Sequence, residues 1–418
     1  MNEIKIGFAK TDITPPLGTE LAGYAGYRPC TGIHDPLWCK AVVLEQPSGR
    51  YGLMVLDLMC VDETLYQHIA QAVAELGIRK ERLIVSAIHS HAAPRGGFPG
   101  EGPLDLVNHS DLVHRDTFRD YMDTVVAAAK AACVQAISHL ASFRVQALRA
   151  PLPPIGSERH TGAVPNSEMT LLHIRTDSEK SLILYNFPCH PTVTNAANLM
   201  VSSDFTAGIE SLLDADMAMF VNGAAGDIST RFTRRESSFA ECTRMGAIAA
   251  AQIRKALEGQ TFMTPEPLTG IHEIISLRPR AIETVEHAQK QLEETTARWK
   301  QAEAEGLDAA TVRILKSYAE GAIVNLQFSQ TMAGISQLNL PVSIFRFCGL
   351  NFVSIPGELF STLQPENCSV IAYANGYYRY ICGKDAYDAR YYEAIAAILA
   401  RGEGEQLMAH IRKMLSRL

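Results

Sequence analysis

No apolar run in this sequence is long enough to cross a bilayer. Gly52–Cys60 and Arg82–Ile88, the most apolar stretches, each fall short of ten residues, against the roughly 20 that a spanning helix needs. The N-terminus also lacks a basic stretch leading into an apolar core and a small-residue cleavage site. Met1–Lys10 alternates polar and apolar residues instead, so no signal peptide is expected. There is no Cys-x-x-Cys pair, and the nine cysteines are odd in number and widely scattered. That argues against a cysteine zinc module or a disulfide framework and points to reduced thiols in a cytoplasmic enzyme. Nor is there an excess of positive charge: 38 basic residues face 45 acidic ones, for a net charge of −7. No global field draws in nucleic acid or anionic lipid. Internal repeats, low-complexity stretches and clear linkers are missing too.

What is present is a chain of 418 residues, 47% hydrophobic, enough for a large buried core. A single domain spanning 1–418 is expected. Gly52–Cys60 reads as a buried strand, after which Asp62 caps a helix carrying Leu65, Ile69 and Val73 on one face, and Arg82–Ile88 reads as the next strand. Strand, helix and strand within about 40 residues form a βαβ unit, so part of the sheet is parallel. Further helices are expected at Asp116–Ile137, Thr206–Leu213, 239–257 and from Tyr391 to Leu418. Strands are expected at Met169–Arg175, Ser181–Phe187, Met217–Val221, Val342–Cys348 and Leu350–Ile355. The fold class is therefore α/β, a large mixed and partly parallel sheet core flanked by helices. The charged segment 282–327 reads as a helical hairpin insertion, broken around Gly306–Asp308.

Several strands run into residues that carry chemistry. Arg82–Ile88 leads to His89-Ser90-His91, Ser181–Phe187 to Cys189-His190, Met217–Val221 to Asn222-Gly-Ala-Ala-Gly-Asp227-Ile-Ser229, and Leu350–Ile355 to Pro356-Gly357-Glu358. In α/β folds the carboxyl ends of parallel strands share an edge where ligand sites form. His89 and His91, two apart on extended backbone, project to one face; they either address one metal together or divide into a ligand and an acid/base partner. The glycine-rich Gly223–Gly226 either lets a ligand approach the backbone or makes a tight turn. It lacks a phosphate-loop lysine and is not a Gly-x-Ser-x-Gly elbow. Seven tyrosines between Tyr373 and Tyr392 read as a packing cluster, or as the source of one or two phenols for a metal or an oxyanion. Arg159 and Arg231 either bind an acidic substrate group or form surface ion pairs.

In that order the motifs resemble the catalytic domain of the neutral/alkaline non-lysosomal ceramidase family. The resemblance rests on Ile6–Thr14, Gly23-Tyr24-Ala25, Gly32-Ile33-His34, Ile88-His89-Ser90-His91, Cys189-His190-Pro191-Thr192, Ser202–Gly208, Gly226-Asp227-Ile228-Ser229, Ile355-Pro356-Gly357-Glu358 and Ala374-Asn375-Gly376-Tyr377. It implies a zinc ion held by His89, His190, Glu358 and Tyr377, and it places His91, Ser229, Tyr387 and Arg159 in the catalytic crevice. The implied reaction is hydrolysis of an N-acyl amide by metal-activated water, with His91 exchanging protons and with Tyr387 and Ser229 orienting substrate or oxyanion.

The sequence also departs from the family. Neither a leader nor the C-terminal immunoglobulin-like domain of the secreted enzymes is expected from the 418 residues. Thr230-Arg231 replaces Pro-Asn, and Ala92–Gly97, with Arg95, replaces a serine- and glycine-rich run. A small polar acylated substrate, bound with help from Asp227, Arg95 and Arg231, is expected in place of ceramide. The other readings are a ceramidase proper, a metal-dependent esterase and a non-catalytic metabolite-binding relative.

Overall fold

Three four-stranded mixed sheets repeat one topology in the computed structural model, which describes residues 4–24, 26–101, 115–165 and 167–418. In the first, Lys5–Asp12 pairs antiparallel with Trp38–Gln46, that strand antiparallel with Gly49–Leu56, and the last parallel with Ile78–Ala87 across the helix Glu63–Ala74. Phe143–Pro151, Glu168–Thr176, Ser181–Phe187 and Met217–Asn222 repeat that antiparallel, antiparallel, parallel order, with Phe205–Glu210 in the crossover. Thr269–Leu277, Leu338–Phe347, Leu350–Ser354 and Cys368–Ile371 repeat it again. The mixed, partly parallel, helix-flanked core is as expected, but it is divided among three sheets. No sequence periodicity announces the repetition, because each copy fills its sheet with a different apolar set.

The apolar runs account for the layering. Ser181–Phe187 is buried from its second residue to its last, as a strand covered on both faces must be. Alternate residues of Ile78–Ala87 go to different cores. Leu83 and Val85 pack with the flanking helices, whereas Ile84 joins Val42, Leu184, Phe345 and Phe352 in an apolar centre shared by the three sheets. Asp62 caps its helix as expected, its Oδ1 accepting from Leu65 N at 2.9 Å. The helix Arg115–Ser138 covers the outer face of the first sheet. The charged hairpin is Val285–Ala304 and Ala309–Thr331, and it lies between two strands that pair directly with each other.

Buried asparagines join the sheets. Asn375 accepts from Val85 N at 2.7 Å and donates to Leu83 O at 3.0 Å; Asn222 donates to Ile88 O at 3.0 Å; Asn186 donates to Val221 O and Val370 O at 2.8 and 2.7 Å. Each satisfies backbone at, or just after, a parallel strand that is last in its sheet. Asn375→Ala leaves Val85 N and Leu83 O without these side-chain partners, and should cost about 1–3 kcal/mol, read as a lowered urea midpoint with unchanged m-value.

Two details differ from the sequence reading. The C-terminal segment is not one helix from Tyr391. A short helix, Tyr392–Ile395, is followed by extended chain in which Ala400 N and Ile398 O bond to Arg278 O and Arg280 N, and the last helix is Glu403–Leu415, entered through Gly402 at φ 93°. Ser157–Glu158, given no element in the sequence reading, pairs antiparallel with Ile228–Ser229. Among the described residues no helix is long and apolar enough to cross a membrane. All nine cysteines are buried and free.

Candidate metal centre and catalytic pocket

The carboxyl ends of strands from all three sheets converge on one buried group. His89 follows the last strand of the first sheet, His190 follows Ser181–Phe187 of the second, and Glu358 follows Leu350–Ser354 of the third. Tyr377 follows the last strand of the third sheet. His89 takes up φ 70°, a left-handed backbone that a non-glycine residue adopts only under constraint, and its amide is held by Leu58 O. His190 is fixed at its amide and ring alike, since both N and Nδ1 bond to Ile228 O, at 3.1 and 3.0 Å.

Those backbone bonds decide what the rings present. His89 Nδ1 bonds to Met59 O at 2.7 Å, so in each neutral ring the proton sits on Nδ1 and the Nε2 lone pair faces inward. His190 Nε2 lies 3.0 Å from Glu358 Oε2, His89 Nε2 lies 3.4 Å from the same oxygen, and His91 Nε2 lies 3.2 Å from His89 Nε2. Acceptors of this kind, buried together, repel unless a cation sits among them. The three imidazoles each offer a nitrogen within 4.8 Å of the others. Tyr377 donates its hydroxyl to Glu358 Oε1 at 2.5 Å. Two neutral imidazoles, a carboxylate and a phenol are a donor set that fits zinc.

Burial and neighbouring charges shift His190, His91, Glu358 and the phenols. Burial, with the nearby Arg159 charge, pushes His190 down to about 3. Burial also drives His91 well below the ordinary histidine value, with further lowering from His89 and His190. Burial alone would raise Glu358, but a positive charge or N–H donor at His89 and His190, the part a bound cation would take over, holds it well below the usual carboxylate range. The phenols of Tyr377 and Tyr373 are pushed well up by burial and by Glu358. The ring of Tyr373 stacks on His89, 4.1 Å between centroids.

His91 is set apart from the other two. Its Nδ1 is buried without a hydrogen-bond partner, and its ring meets the edge of Tyr24. Gly23, at φ 89°, makes room for it: a Cβ there would lie 2.4 Å from the His91 ring. Gly23→Ala therefore combines backbone strain with displacement of His91. Its kcat should fall about tenfold, on the scale of a misplaced catalytic group, with metal content unchanged by elemental analysis.

Arg159 lies near the histidine cluster, its amide bonded to Asp227 O. Its guanidinium donates to Glu393 Oε1 at 3.2 Å and Tyr380 Oη at 3.4 Å. Burial opposes the Arg159 charge, but Tyr380 and Glu393 more than restore it. His160 bonds to the other Glu393 oxygen at 3.2 Å and stacks on Tyr391. Ser229 is buried beside His190, where the two residues form a parallel bridge. Arg231 is exposed, and its Nη1 donates to Arg159 O at 3.4 Å.

Other expected residues are placed differently. Asp227 does not face a ligand: Ser361 N and Ser361 Oγ bond to its two oxygens at 2.7 and 2.8 Å, fixing the chain after Glu358. Tyr387 donates to Leu399 O at 2.8 Å and packs against a small apolar cluster around Phe360 and Cys382. Arg95 lies 4.0 Å from Asp62, beside a helix cap. The glycines of Gly223–Gly226 admit protein backbone. A Cβ on Gly226 would lie 2.6 Å from Glu358 O, and the amides of Gly223 and Gly226 bond to Phe187 O and Leu359 O. Asp204, at φ 60°, accepts from Val193 N, Thr194 N and Phe205 N, which pins the loop after His190. Sequence reading missed Tyr380 and Glu393 as partners of Arg159 and Tyr24 as the ring against His91. The tyrosine cluster and the Gly23-Tyr24 motif held the signal for two of them; nothing distinguished Glu393.

Residues 4–149 match the family described as neutral/alkaline non-lysosomal ceramidase, N-terminal. Over 99% of this chain the fold is similar to 74% of neutral ceramidase from Pseudomonas aeruginosa, with a TM-score of 0.74 at 16% identity. It is similar over 100% of this chain to 76% of a ceramidase complexed with C2, with a TM-score of 0.72 at 15% identity. At these identities the likeness is one of fold. No curated protein matches the sequence.

Proposed function

We propose that this chain, whose residues 4–149 match the neutral/alkaline non-lysosomal ceramidase family, is a zinc-dependent hydrolase of an N-acyl amide. The observation that carries the reading is the convergence of His89 Nε2, His190 Nε2 and Glu358 Oε2 as mutually facing acceptors. With Tyr377 these residues would hold the ion, which when bound supplies Lewis acidity toward water and an acyl carbonyl. His91 is neutral in its buried seat and accepts the proton of the attacking water, then returns it to the leaving amine. Arg159, held by Glu393, and the Ser229 hydroxyl hydrogen-bond and orient the acyl oxygen.

Tyr380, and not Tyr387, supplies a phenol to this pocket, since Tyr380 adjoins Arg159 whereas the Tyr387 hydroxyl is engaged by Leu399 O. Tyr387→Phe should leave kcat within about twofold, while Tyr380→Phe, losing a bond to a charged group, should lower it about tenfold. Steady-state kinetics on one substrate separate the two.

The exposed Arg231 on the Arg159 side favours a small acylated substrate with a polar or anionic leaving part. Free, buried thiols favour a reducing compartment such as the cytoplasm. The test is acyl release from matched N-acyl and O-acyl substrates, short-chain N-acyl amino acids and ceramide included, with and without a chelator. Chelator-sensitive amide cleavage restored by zinc supports the proposal. No amide turnover with any added divalent metal overturns it.

A further inference from the structure

The apolar centre where the three sheets meet is not completely filled. A cavity of about 110 Å³ lies among side chains of all three, including Val42 and Ile84 from the first, Leu184 from the second and Phe345 and Phe352 from the third. Leu184 and Phe352 each precede their metal-site residue, His190 and Glu358, by six positions. At about 3.3 Å per strand residue the cavity lies up to about 20 Å from the metal cluster. It lies at mid-strand level, where Ile84, Leu184 and Phe352 stand five or six residues before His89, His190 and Glu358, and it is closed on the carboxyl side by Val221 and Ile371. Its lining is apolar except at the edge, where the half-buried Tyr51 and Arg82 stand.

Arg82 also lines a second, open pocket of about 690 Å³, together with Arg79, Lys80, Gln67 and His68, whose lining contains no acidic residue. The guanidinium spans the two spaces: it donates to Ser48 O in the basic pocket and lies 4.9 Å over the Tyr51 ring in the apolar one. A cation at the entrance of an apolar hole, beside further cations, matches an amphiphile whose head is negative. The volumes set the size. The outer pocket is in the range that takes a small molecule, and the inner one is below the ~150 Å³ of an apolar cavity that holds benzene, so the tail is short.

We propose that the two pockets form one ligand site, distinct from the metal centre, for a soluble anion carrying a short alkyl tail, such as a short-chain carboxylate. The head pairs with Arg82 and its basic neighbours, and the tail enters the cavity between the sheets. Burying each methylene strengthens binding about fourfold until the cavity is full, after which added length gains nothing.

Calorimetric titration of the full-length protein with acetate, butyrate, hexanoate and decanoate tests this, with 1-hexanol and hexylamine as neutral and cationic heads. Affinity should rise with tail length to a plateau, fall at least tenfold in Arg82→Gln, and be at least tenfold weaker for the alcohol and the amine. The same titration on His190→Ala should be unchanged, which separates this site from carboxylate binding at a metal. A flat length series, an Arg82→Gln protein that binds like wild type, or binding lost in His190→Ala would each overturn the proposal. So would retention on phosphatidylglycerol vesicles without binding of any soluble carboxylate, which would make the pocket a membrane contact.

Discussion

His190→Ala should purify folded, hold no stoichiometric metal, and lose amide hydrolysis by on the order of 10⁴-fold. His190 is the residue whose removal is hardest to compensate. Its ring is fully buried, its Nδ1 is committed to Ile228 O, and its Nε2 meets the Glu358 oxygen that His89 also faces. Alanine leaves a void where the proposed ligand stood, and among the described residues no other histidine is held at that position by the same backbone. The void is small against a core of three sheets, and Asp204 still pins the loop through Val193 N and Thr194 N, so the fold should survive. Elemental analysis of the purified variant, with circular dichroism against wild type, checks the result. Near-stoichiometric zinc in His190→Ala would refute the ligand assignment, and metal loss with full activity would refute metal dependence altogether.

The parts of this molecule legible in the sequence are those where a residue's type follows directly from its place. Ser181–Phe187 and 239–257 read correctly because a doubly covered strand is continuously apolar and a capped amphipathic helix shows its period. The strands that escaped, Lys5–Asp12, Trp38–Gln46, Phe143–Pro151 and Thr269–Leu277, break those patterns. Trp38–Gln46 hides behind Lys40, a fully buried charge in mid-strand held by Asp57 and Glu210, partners that lie 17 and 170 residues away. The threefold repetition of topology was invisible for a similar reason: it is a property of pairing order, which no single segment states. At the site, residues placed by strand ends were readable, because a polar residue after an apolar run is conspicuous. Roles set by long-range partners were not. Asp227 reads from the sequence as a ligand-binding carboxylate, yet Ser361 bonds to both of its oxygens; Tyr387 is the tyrosine the resemblance implies, yet its hydroxyl is taken by Leu399 O while Tyr380 adjoins Arg159.

His91→Ala should keep its metal and lose turnover, with kcat down about 10²–10⁴-fold and KM little changed. The geometry leaves two roles open to this ring, and the variant chooses between them. As one of three imidazoles with nitrogens within 4.8 Å, His91 is close enough to be a ligand. Two features argue that it is the proton carrier. Glu358 and Tyr377 already complete a four-donor set with His89 and His190. Unlike those two rings, moreover, His91 has no carbonyl at its Nδ1 to fix a tautomer, and that buried nitrogen has no partner. A ligand gains from a locked tautomer, whereas a group that takes a proton and gives it back needs its protonation state free to change. Burial holds the ring neutral near pH 7, ready to accept. If His91→Ala instead loses metal in step with activity, His91 is a ligand and the proton must be carried elsewhere. If it retains metal and full kcat, the ring only packs against Tyr24 and the acid/base assignment fails.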